Sequence, residues 1–286
     1  MTENYTKQKK GFSPKTKVAA GALVCAALSA AASTLYFIAY HSGVYEKDLH
    51  HYQSGSALPI AFSLLFLLSA VVSFATALWV KGAAREDEPV LPDPSVSFGI
   101  FLVAFMFIGY FIASFYSLTP LPEEVGFGDV CTRLCPFIGL LSAVPFICDG
   151  SGRMRRTTLH RAATVLPVIW GSLLMFKYYF DLKEMPLNDP ELILTDVSIA
   201  AVILFFLTES RRALVISSPF KNTAASFLTV FLTLPVAVAR VILFKTDSFD
   251  IPLLMENILL ASIGIFALIR IVNDAGAFDD SGTSEN

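Results

Sequence analysis

Val96–Leu118 reads VSFGIFLVAFMFIGYFIASFYSL, 23 residues without one charged side chain. As an α-helix the stretch is about 35 Å long, enough to cross the roughly 30 Å hydrocarbon core of a bilayer. A strand of an outer-membrane barrel would alternate polar and apolar over about ten residues, and this run is apolar throughout. It is therefore a membrane helix, and the rest of the chain repeats the pattern. Further runs lie at Val18–Tyr40, Ala57–Val80, Cys131–Cys148, Ala162–Phe180, Glu191–Leu207, Ala224–Phe244 and Pro252–Val272. The fold expected is an all-α polytopic bundle of about eight spans. It divides into a tail at 1–17, a transmembrane domain at 18–273 and an acidic, disordered tail at 274–286.

The composition agrees. Hydrophobic residues make up 55% of the chain and charged residues 16%, against about 45–50% and 25% in soluble domains. The polar residues are too few to cover so large a core, so the bilayer is the solvent. No interval between runs is long enough for a soluble domain. The net charge is −3, with no basic tract for nucleic acid.

Lysine and arginine set the orientation. They fill the N-terminal tail (Lys7, Lys9, Lys10, Lys15, Lys17) and the loops after the second, fourth and sixth runs. Those loops hold Lys81 and Arg85; Arg153, Arg155, Arg156 and Arg161; and Arg211, Arg212 and Lys221. The alternate loops carry Lys47, Lys183 and Lys245 singly. Both termini are thus expected in the cytoplasm, in a multi-pass protein of the cell membrane. The first run imitates a signal peptide, but its apolar length to Tyr40 favours an uncleaved span.

Ionisable groups inside spans carry the functional lead, since each costs about 2.5–3.5 kcal/mol at mid-bilayer on insertion scales. The candidates for binding a substrate or ion are Asp196, Lys177, Arg240, Glu256 and Arg133, all in the external half of their spans. Lys177 and Asp196 stand at matching depth on consecutive helices, which suggests an ion pair; Arg240 and Glu256 are placed likewise. The plainer alternative has Lys177, Arg133 and Arg240 snorkelling to the headgroups while the acids neutralise them. Asp196 is too short to snorkel and is the first choice.

Pro136, Pro145, Pro167 and Pro235 each remove a helix hydrogen bond. A break, of the kind that lines transporter cavities, is expected in the short fourth span with its two prolines. His41, His50 and His51 share the first external loop with Glu46 and Asp48, yet meet no fixed metal-ligand spacing, so a solvated loop is the simpler reading. Cys25, Cys131, Cys135 and Cys148 match no zinc or haem pattern and read as packing residues. No phosphate loop, GxSxG, HExxH or dinucleotide fingerprint occurs. The sequence therefore suggests neither a cofactor nor a metal, and disfavours an enzyme.

The stretch Leu166–Pro190, LPVIWGSLLMFKYYFDLKEMPLNDP, resembles a segment of an uncharacterised family of bacterial multi-pass membrane proteins. There a span bearing proline and tryptophan is followed by aromatics, an asparagine and a proline. The likeness covers about residues 160–240. It implies a bacterial cytoplasmic-membrane protein and transfers no catalytic or binding residue.

Two function classes stay open. One is transport or permeation of a small solute or ion through the outer-half charges. The other is a non-transporting membrane sensor or an assembly partner for another protein.

Overall fold

A computed structural model describes residues 14–46, 51–52, 55–80, 94–118, 125–151, 157–181, 190–214, 216, 218–247 and 250–280. The described helices are α1 (Pro14–His41), α2 (Ala57–Val80), α3 (Pro94–Tyr116), α4 (Phe127–Gly150), α5 (Thr158–Ala163), α6 (Leu166–Asp181), α7 (Pro190–Ala213), α8 (Pro219–Asp247) and α9 (Ile251–Asp280). Eight segments are long and apolar enough to cross a membrane, with α5 and α6 sharing one of them, Thr158–Phe180. With eight such segments running alternately up and down, the start of α1 and the end of α9 lie at the same end of the bundle, called here the terminal face; the other is the distal face.

After α1 the chain turns through Gly43, whose φ of +73° is left-handed, a helix exit that glycine makes without steric cost. A two-residue antiparallel ladder follows, β1 (Tyr45–Glu46) against β2 (His51–Tyr52). His50 and Asp48 lie outside the described residues, and His41 packs its ring on Phe37.

Six spans close a ring. In order around it, α3 packs on α4, α4 on α6, α6 on α7, α7 on α8, α8 on α9, and α9 back on α3. The α1–α2 hairpin lies outside, against α8, with α1 also touching α9. Helix α8 belongs to both groups, and so 61% of its apolar window is buried against 22% for α2. Serine and threonine hydroxyls fasten it to its neighbours through backbone carbonyls: Ser198 of α7 donates to Leu232 of α8 (2.5 Å), Thr229 of α8 to Ala201 of α7 (3.0 Å) and Ser33 of α1 to Pro235 of α8 (3.3 Å). In hydrocarbon no water competes for these groups.

Prolines behave differently from expectation. Helix α4 is continuous from Phe127 to Gly150 with Pro136 and Pro145 inside it. The break falls in the fifth span, at Thr164–Val165, just ahead of Pro167. Pro167 cannot donate to Ala163, and its ring crowds that carbonyl. The chain tightens locally, with the Val168 N–H bonding to Val165 O at 3.0 Å. That shift releases the Thr164 carbonyl, which Ser210 of α7 takes up at 2.5 Å. A partner on the next helix is what makes the break tolerable. At the C-terminus, α9 continues past Asn273 to Asp280, into the stretch expected to be disordered.

Candidate functional site

Helices α6 and α9 stand across the ring from each other, with α3 and α4 between them on one side and α7 and α8 on the other. Long side chains nonetheless join them. Lys177, near the distal end of α6, places Nζ 3.1 Å from Glu256 Oε2 on α9. The neighbouring Tyr178 donates its hydroxyl to Glu256 Oε1. Both carboxylate oxygens are therefore engaged, and the Glu256 side chain is only 2% exposed while that of Lys177 is 20% exposed. Lys177 also lies 5.0 Å from the Tyr178 ring centroid.

The walls beside this crossbar come from α3 and α4. Tyr110 donates to Cys135 Sγ at 3.7 Å, and Cys135 in turn faces the Trp170 carbonyl of α6 at 3.9 Å. Both are weak sulfur contacts, and they point the thiol into the ring. The Glu256 charge acts on Tyr110 and Cys135, and Arg240 of α8 acts on Tyr178. The layer thus holds one acid, one amine, two phenols and one thiol in a medium that strengthens every charge interaction.

Beneath it, aromatic rings fill the middle of the ring of helices. Phe107 meets Trp170 edge-on at 4.9 Å, Phe146 meets Phe206 at 5.7 Å, and Phe205 meets Phe266 at 5.6 Å. Edge-to-face geometry suits their quadrupoles.

A second ionic layer joins α7 to α9 toward the terminal end. Arg212 of α7 binds Asp274 of α9 with both guanidinium nitrogens, Nη1 to Oδ1 at 3.0 Å and Nη2 to Oδ2. Arg270 of α9 reaches back to Glu209 of α7, Nη2 to Oε2 at 2.7 Å. Arg212 Nε stands 3.5 Å from Glu209 Oε1, linking the pairs into a chain of alternating sign. Nearby, buried His160 pairs Nε2 with Asp149 Oδ1 at 3.0 Å, joining α5 to the end of α4.

Of the residues proposed from sequence, the structure brings together Lys177 and Glu256, with Arg240 close by. The expected partnership of Lys177 with Asp196 does not form; Lys177 is taken by Glu256 instead. Asp196 keeps a buried Oδ1 without a hydrogen-bond partner, beside the exposed row Ile193, Val197 and Leu204. Arg133 is half-buried on α4. The four cysteines are free thiols, and among the described residues no three of His, Cys, Asp or Glu gather as a metal site.

The terminal-face chain was missed in the sequence. Its signal was available, because Arg270 is a charge inside the last apolar run and Asp274 follows it at the i+4 spacing of one helix face. No family model, curated protein or solved structure matches the chain.

Proposed function

We propose that the chain moves a small solute or ion across a cell membrane along the axis of its six-helix ring. In this reading the structure is the closed form, shut at both ends. One observation carries it: ion pairs join helices of the ring in two layers, Lys177–Glu256 between α6 and α9 at the distal end and Arg270–Glu209–Arg212–Asp274 between α7 and α9 at the terminal end. Static packing does not call for this, since well-packed apolar residues of similar volume serve as well as or better than a buried ion pair. A pair that must part and re-form is the best-supported reason to keep charges there. The distribution of Lys and Arg supports placing the terminal face in the cytoplasm, so that the Lys177 layer opens outward.

Cys135 gives the test. With Cys25, Cys131 and Cys148 replaced by alanine, the remaining thiol lies in the ring at 0% exposure. A membrane-impermeant thiol reagent applied from the distal side should modify it slowly in this background. Lys177→Met with Glu256→Gln should raise the rate at least tenfold. No modification in either protein would sink the reading.

The competing class, a non-transporting sensor or assembly partner, draws on the completeness of the crossbar, in which both Glu256 oxygens are bonded. It expects Cys135 to stay closed to the reagent in both proteins.

A further inference from the structure

We infer that the solute taken up at the distal layer is a compact zwitterion of the α-amino acid type, its ammonium on Glu256 and its carboxylate on Lys177. The inference rests on the transport reading above and follows from what can part this ion pair. Lys177 Nζ and Glu256 Oε2 are 3.1 Å apart and neutralise each other in a layer where Glu256 is 2% exposed. A neutral solute offers each charge only neutral hydrogen-bonding groups, about half as strong as the charge-assisted bond they would displace. A simple anion would satisfy Lys177 and strand the carboxylate; a simple cation would satisfy Glu256 and strand the amine. Leaving one buried charge uncompensated is the most costly outcome for such a pair. A solute bearing both charges replaces both partners at once and keeps the layer neutral.

The spacing selects a compact solute. Because the two protein charges are in contact across the ring, the least opening is needed when the solute's own charges sit on a single carbon. Exposure sets its orientation. Lys177 is 20% exposed near the distal end and Glu256 only 2%, so the carboxylate takes the more open side of the layer and the ammonium the enclosed one. Tyr178 can keep its bond to Glu256 or turn to the incoming carboxylate. The remainder of the solute would meet Tyr110 and the face of the aromatic layer at Trp170 and Phe107. Arg240, the other cation acting on Tyr178, is itself engaged; if its charge tipped the balance, a simple anion would be preferred.

The test uses the full chain in proteoliposomes. One probe is a labelled mixture of the twenty α-amino acids. Four matched compounds go beside it: L-alanine, L-lactate (no ammonium), L-alaninamide (no carboxylate) and lactamide (neither). Amino-acid uptake should be saturable and at least ten times that of empty liposomes, with lactate, alaninamide and lactamide at background. Glu256→Gln and Lys177→Met should each lower it at least tenfold. Should those variants fail to fold, protection of wild-type Cys135 from the thiol reagent by the bound amino acids is the second measurement. Lactate, alaninamide or lactamide moving as well as the amino acids would overturn the zwitterion assignment and leave transport standing. So would no uptake of any compound alongside Cys135 labelling that still responds to the paired substitution. No uptake and no such response would remove both readings.

Discussion

Glu256 and Lys177 are placed so differently that the cost of losing each can be worked separately. In Lys177→Met the carboxylate keeps only the Tyr178 hydroxyl, at 2% exposure, and its short stem cannot lift it to the headgroups. Stranding the deep charge should cost about 3–5 kcal/mol. In Glu256→Gln the amide oxygen still accepts from Tyr178. The amine left behind is 20% exposed at the distal end of α6 and can snorkel on its four-carbon stem. That loss should be about 1–2 kcal/mol, near the upper end for polar contacts between membrane helices. The double variant strands no charge and should return to within about 1 kcal/mol of the wild type. Together these values imply a coupling of about 3–7 kcal/mol. Unfolding in mixed micelles titrated with SDS, followed by the fluorescence of buried Trp170, measures all four proteins. Additive losses, or a larger loss from Glu256→Gln than from Lys177→Met, would refute the reasoning. A parallel cycle on Lys177 and Asp196 should be additive.

Three further outcomes are expected. Asp274→Asn should cost only about 1 kcal/mol and less in high salt, because Arg212 keeps Glu209 at 3.5 Å and the cluster is 15–20% exposed; the same SDS titration at two ionic strengths checks it. Ser210→Ala should cost about 1 kcal/mol by leaving the Thr164 carbonyl without its donor, seen as a lower midpoint in that titration. Reporter fusions at Asn286 and in the Arg153–Arg161 loop should report cytoplasm and those in the Glu46–Ser54 loop the exterior; the reverse would turn the distal face inward.

The helix count was legible because a bilayer imposes a one-dimensional signal. Each crossing needs its own uncharged length, and Val96–Leu118 or Ala57–Val80 can be nothing else. The position of the helix break was not legible. Pro136, Pro145 and Pro167 each lack the same N–H, and the sequence shows that loss equally in all three. What decides between them is whether a released carbonyl finds another donor. The donor at the fifth span is Ser210, 46 residues away from Thr164. At α4 no comparable rescue is seen among the described residues, and packing against α3 on one side and α6 on the other holds the helix through both prolines.

Depth and direction separate in the same way at the site. Counting residues from a span end places Lys177, Asp196 and Glu256 in one layer, since depth is one-dimensional. Which of them meet depends on their direction around each helix and on the order of helices in the ring. Consecutive helices suggested Lys177 with Asp196, but Asp196 borders the exposed row of α7, and Glu256 faces α6 from across the ring. One sequence pattern does carry direction, and it lies in the last span. At 100° per residue, Glu256, Ile263, Ala267, Arg270 and Asp274 fall within about 40° of one line down α9. A helix of a membrane bundle facing only lipid or only packed neighbours has no use for an acid, a base and a second acid on one face. That face meets both ionic layers, with Ile263 and Ala267 buried between them. A rotation of α9 about its axis would therefore disturb Lys177 at one end and Arg212 at the other together, so one helix couples the two ionic layers mechanically.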